Sequence, residues 1–221
     1  MSIHRRLKML AAAVAVSGVG ALGFSQPANA VTINFQNIPG ADTAGDAYAG
    51  NFSLEVSDLG GGNVLFQIVS AVAPGLSYFI RTIFIDDTNP SSFTSLPTTN
   101  SSTYSVGTVA MTYSSGGNLP QGNNVGFSTE FNFNRDTPGN GNAIQQGETG
   151  GFVFGGDFSG ILASLNSGDL RFGIHLQGLP NDASDSFATS VPQVPLPAAG
   201  FLLMGALGGL GFAAKRKRKA S

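Results

Sequence analysis

Between residues 125 and 133 apolar and polar side chains alternate, with Val125, Phe127, Thr129, Phe131 and Phe133 set against Gly126, Ser128, Glu130, Asn132 and Asn134. A helix cannot put such a period-two set on one face, whereas a half-buried strand does so by its pleat. The same alternation recurs in Phe52-Leu54-Val56, Val64-Phe66-Ile68, Val109-Met111-Tyr113, Phe152-Phe154 and Leu170-Phe172-Ile174-Leu176, and over the apolar segment 79–85. An opening strand is expected over Val31 to Phe35 and a closing one near Phe187. Between these runs stand Gly60-Gly61-Gly62-Asn63 and the Gly, Asn, Ser and Pro clusters at 114–124 and 137–151, which is turn chemistry. Only 161–165 hints at a helical turn. The pattern predicts an all-β chain, a single antiparallel β-sandwich of jelly-roll type over 31–183, followed by a small polar linker at 184–193.

Charge is segregated along the chain. Arg5, Arg6 and Lys8 precede an apolar stretch at 9–24, and Ala28-Asn29-Ala30 supplies the small-x-small pattern of a signal-peptidase site. This predicts a signal peptide over 1–30, read by the Sec machinery and cut after Ala30. At the other end Val194, Pro195, Leu196, Pro197 and Ala198 open a run at 198–214 without charge, roughly 25 Å long as a helix. Lys215, Arg216, Lys217, Arg218 and Lys219 follow it directly. Such a cluster holds the C-terminus on the cytoplasmic side of a short inner-membrane span. The two prolines keep the preceding motif extended, a shape that a processing enzyme can grip.

Motif, apolar run and basic cluster, in that order, resemble the PEP-CTERM sorting signal of Gram-negative bacteria in its VPLPA variant. The resemblance implies that 194–221 is a substrate of exosortase, a membrane transpeptidase that removes the helix and passes the protein to the cell surface or exopolysaccharide matrix. The body resembles the ectodomains of a recurrent PEP-CTERM group through the 52–58 and 80–87 stretches, Asn140-Gly141-Asn142, the 170–177 strand and Ser184-Asp185-Ser186-Phe187. That group brings no assigned activity.

Between leader and tail lie only Arg81, Arg135 and Arg171, against all thirteen carboxylates, a formal charge of about −10. A nucleic-acid partner is thereby disfavoured, because little is left to neutralise phosphates. Cysteine is absent, which excludes disulfides and thiol chemistry.

His175 is the only histidine beyond the leader, so any serine triad must use it. Its strand register puts it with Arg171 on the polar face, where the simplest role is pairing across the sheet with an acid. A serine touching His175, or two carboxylates about 5 to 10 Å apart in a concave pocket, would mark a glycan hydrolase. A smooth surface favours a non-enzymatic structural or polysaccharide-binding protein. A third reading, a permanently tail-anchored periplasmic protein, differs only in the fate of the tail. No cofactor is expected save calcium, for which Asp86 and Asp87, and Asp182 and Asp185, offer loop oxygens. One histidine without cysteine disfavours zinc.

Overall fold

The computed structural model describes residues 30–75, 77–88, 92–136 and 141–189. Apart from Ala30, which is described, the expected signal peptide with Ala28, the sorting motif, the membrane helix and the basic cluster lie outside these residues. Among the described residues no helix is long and apolar enough to cross a membrane.

The strands are β1 (Ala30–Asn37), β2 (Phe52–Gly60), β3 (Asn63–Ser70), β4 (Phe79–Asp87), β5 (Met111–Ser114), β6 (Phe131–Arg135), β7 (Ile144–Gln145), β8 (Thr149–Gly155), β9 (Leu170–Leu179) and β10 (Ala183–Thr189), with one α-helix, α1 (Phe158–Ser167). All pairings are antiparallel, in the order β5-β6-β4-β9-β10-β1-β2-β3-β8, with β7 also on β4. β1 turns the sheet over, because its first residues pair with β2 and Phe35 to Asn37 pair with β10. The result is an all-β curled sheet whose inner face carries the core.

That core follows the alternation. Leu54, Val56, Phe66, Ile68, Phe154, Phe172, Ile174 and Phe187 are fully or almost fully buried, and rings from distant strands meet inside. Phe66 stacks on Phe172 with centroids 5.0 Å apart, and Phe133 lies 4.6 Å from Phe152. Each such ring contributes about 1.5–3 kcal/mol by leaving water. The β2–β3 hairpin turns through Gly60, Gly61 and Gly62, all at positive φ, a conformation that a Cβ penalises.

A sheet with two free edges invites pairing with other chains. Here the segment 92–108 covers both: Thr94 and Ser101 donate to carbonyls of β8, while Asn100 donates to Met111 at the start of β5 and Tyr113 of β5 donates to Thr98. This strap closes the curl.

Three expectations change in detail. The alternating run at 125–133 is not one strand, because residues 122–125 form a 3-10 turn, Gly126 has a φ of 62° and the strand begins at Phe131. Phe127 consequently packs on the outer face with Leu119 and Phe84, away from the main core. The expected linker begins too early, since Ala183–Thr189 is the strand β10 between β9 and β1. The helical hint is a full ten-residue helix, capped by the Asp157 carboxylate accepting from Gly160 N at 2.7 Å and ended by Gly168 at a φ of 82°.

Candidate functional site

The outer face of β4, β9 and β10 carries Arg171, His175 and their partners Asp86 and Ser186. Outward positions on β9 are Arg171, Gly173, His175 and Gln177, because Phe172, Ile174 and Leu176 point into the core. Gly173 leaves a shallow floor there, and the segment 115–130 folds down onto it. An added Cβ at Gly173 would come 2.7 Å from Leu119 Cδ2.

Arg171 fastens that segment. Its guanidinium pairs with Asp86, its register partner on β4, and donates to the carbonyls of Val125 and Gly126, while its Cζ lies 5.2 Å from the Phe127 ring centroid. Asp86 also accepts from Ser128 N at 3.0 Å. The cross-sheet acid partner expected for Arg171 is therefore present. Beside this clamp a cavity of about 260 Å³ is lined by Ile38, Val125, Arg171, Ala188 and Thr189, among others.

His175 touches a serine, as a hydrolase would require: its Nδ1 lies 3.0 Å from Ser186 Oγ, across the β9–β10 pair. The surroundings do not make a nucleophile of that hydroxyl. Ser186 is 1% exposed in a strand flanked on both sides, so a substrate carbonyl cannot reach it without opening the sheet. The adjacent Asp185 carboxylate is turned the other way, accepting from Gly45 N and Ser186 N, each at 2.7 Å. No triad geometry results.

Burial, reinforced by the charge of Arg81, holds the His175 imidazole below its ordinary pKa. The sign is therefore fixed: as pH falls through the usual imidazole range near 6.5, the unfolded chain takes up a proton that the folded chain refuses, and stability is lost. Asp185 acts oppositely and at lower pH. Burial raises its pKa, so it favours the folded state below the usual carboxylate range and loses that contribution as pH rises through it. Urea unfolding between pH 7 and 5 should show a falling midpoint that flattens in His175→Gln; an unchanged slope would remove His175 as its source.

Of the two aspartate pairs considered for calcium, three of the four carboxylates are held by other groups. Asp86 is engaged by Arg171, Asp87 accepts from Ser92 Oγ at 2.9 Å, and Asp185 is held by two backbone N–H groups. Asp182 lies exposed at the β9–β10 turn. Among the described residues no group of three or more His, Cys, Asp or Glu is placed to hold a metal ion.

The turn itself is unusual. Asn181 and Asp182 both take left-handed backbone conformations, with φ of 63° and 56°, although neither is glycine. They line a polar cleft of about 430 Å³ with Gly75, Ser77, Gly178 and Leu179. Nothing in the sequence signalled this cleft, because a strained Asn-Asp pair after a proline reads as an ordinary turn. Comparison with family models, curated proteins and solved structures gives no match to this chain.

Proposed function

We propose that this chain is a Sec-exported surface or exopolysaccharide-matrix protein of a Gram-negative bacterium, delivered by an exosortase-type sorting tail and acting there as a non-enzymatic structural or binding protein. The ectodomain is on this reading a sandwich-type β-domain whose curled halves share one core. The observation that carries the proposal is the order of parts in the sequence: Val194, Pro195, Leu196, Pro197 and Ala198, then an uncharged run, then five consecutive cations, in a chain where Arg5, Arg6 and Lys8 precede an apolar stretch and a small-x-small site. Each part has a physical task, namely presentation as an extended peptide, insertion, and retention of the C-terminus in the cytoplasm.

The acidic, cysteine-free body suits a soluble domain outside the inner membrane. The His175–Ser186 contact favours a hydrolase, and the burial of Ser186 weighs against it.

The variant Pro195→Ala/Pro197→Ala tests the proposal in the native host. It should accumulate at full length in the inner membrane while the unaltered chain leaves it. Processing at the normal rate would show that the motif is not what the enzyme reads.

A further inference from the structure

The chain turns from β9 to β10 through Asn181 and Asp182, closed by the Ala183 N–H donating to the Pro180 carbonyl. Positive φ at both central residues is what a type I′ hairpin turn requires, and Asn-Gly is the pair that meets it with least strain. Asp182 stands where glycine is favoured. A carboxylate is therefore kept at a position whose backbone suits a residue without a Cβ.

This turn forms one wall of the 430 Å³ cleft, and Gly75 and Ser77 of the β3–β4 connection form the other. The walls meet at Gly178, where a Cβ would stand 2.7 Å from the Ser77 carbonyl oxygen, so a glycine lets the connection come this close. The volume lies within the about 300–1,000 Å³ usual for small-molecule sites. Ser77, Asn181 and Asp182 are exposed there, and none of the three side chains makes a hydrogen bond or ion pair with another described residue. A hydroxyl, an amide and a carboxylate thus line one cleft with their donors and acceptors unspent.

Asp182 is the single charge among the described residues that line the cleft, and it decides the class of ligand. An anion is repelled, and one carboxylate falls short of the oxygen set that a divalent cation takes. A neutral sugar fits. Vicinal hydroxyls donate to the two carboxylate oxygens, while the Asn181 amide and the Ser77 hydroxyl each donate and accept. Position agrees with an external ligand. From Ala183 at the turn, β10 runs to Thr189, roughly 20 Å away at the rise of a strand, and antiparallel β1 starts from that same far side at Ala30. A domain held through the chain beyond Thr189 therefore turns the cleft away from its attachment.

We propose that Ser77, Asn181 and Asp182, in the cleft at the β9–β10 turn, bind a neutral sugar residue of an extracellular polysaccharide. The preference for neutral hydroxyls comes from the cleft itself, while the choice of a polysaccharide as their source rests on the matrix-facing reading above.

The test uses the full chain in a polyoxyethylene detergent, which has no sugar head group, run over immobilised galactomannan, dextran or polygalacturonate. Retardation on at least one neutral polymer should persist at about 1 M salt, where charges are screened beyond roughly 3 Å. Asp182→Gly should weaken it about tenfold, the loss expected for one hydrogen bond to a charged group, with Asp182→Asn in between. The same Asp182→Gly variant should melt at or above the temperature of the unaltered chain, because glycine suits the turn. Weaker retardation together with a lower melting temperature would reduce Asp182 to a structural residue and overturn the site, as would unchanged retardation in both Asp182→Gly and Asn181→Gly. Retention on polygalacturonate alone, lost in salt, would belong to the five cations of the tail and overturn the ligand class. Absence of retention on either neutral polymer overturns the proposal. These readouts are independent of tail processing: a chain never cut would remove the matrix location and leave the binding result standing.

Discussion

Arg171→Met should lower the unfolding free energy by about 3 kcal/mol or more, the low end for breaking a buried pair because Arg171 is one-fifth exposed. What makes the change severe is what it leaves behind. The Asp86 side chain is 2% exposed and would keep only Ser128 N as a partner, while the carbonyls of Val125 and Gly126 lose their donor. The segment 115–130 should then lift from Gly173 and expose Leu119, Phe127 and Phe84, which limited proteolysis would detect as cleavage confined to that stretch. Adding Asp86→Asn to Arg171→Met removes the stranded charge and should recover part of the loss. If the double variant is no more stable than Arg171→Met, the ion pair is not the clamp.

Gly151→Val sets local propensity against packing. Valine favours strands in general, and Gly151 lies in the middle of β8. A Cβ there would nonetheless stand 2.5 Å from the Tyr104 carbonyl oxygen and 2.7 Å from its carbonyl carbon, atoms of the strap's own backbone. That strap is bonded at this point, with Ser101 N donating to Gly151 O at 2.7 Å and Gly151 N donating to Ser105 Oγ at 3.0 Å. The expected cost is about 2–3 kcal/mol from overpacking. The second consequence is an uncovered β8 edge and concentration-dependent association in gel filtration. Gly50→Ala, where nothing lies within 4 Å, should stay within about 0.5 kcal/mol. A Gly151→Val protein that melts like the unaltered one would show that the strap does not close the sheet.

What was legible follows from where each side chain's partner sits. Alternation found the inward set on β2, β3 and β9, because a period of two is a property of the strand alone, whereas on β4 the register slip between Ile80 and Thr82 breaks it. It also put Arg171 and His175 on one face, and Asp86 as the partner of Arg171 follows from strand register. It placed a closing strand near Phe187, which is in β10, but missed its extent, because at Ser184 to Thr189 small polar residues imitate a linker. Asp185, Ser186 and Thr189 are buried because each finds a distant partner: Asp185 meets Gly45 N, Ser186 meets His175, and Thr189 Oγ1 accepts from Phe172 N. Phe127 failed for a related reason, since one glycine at positive φ moves it from the inner to the outer cluster without disturbing the sequence pattern.

The central claim is that the chain is cut at both ends and leaves the inner membrane. Intact mass spectrometry of the protein recovered from medium, surface wash and membrane fractions of its own host tests it most directly. The account predicts, outside the inner membrane, a chain lacking residues 1–30 and most of 198–221, with any added mass identifying the acceptor. A full-length tail found only in the membrane fraction would contradict it.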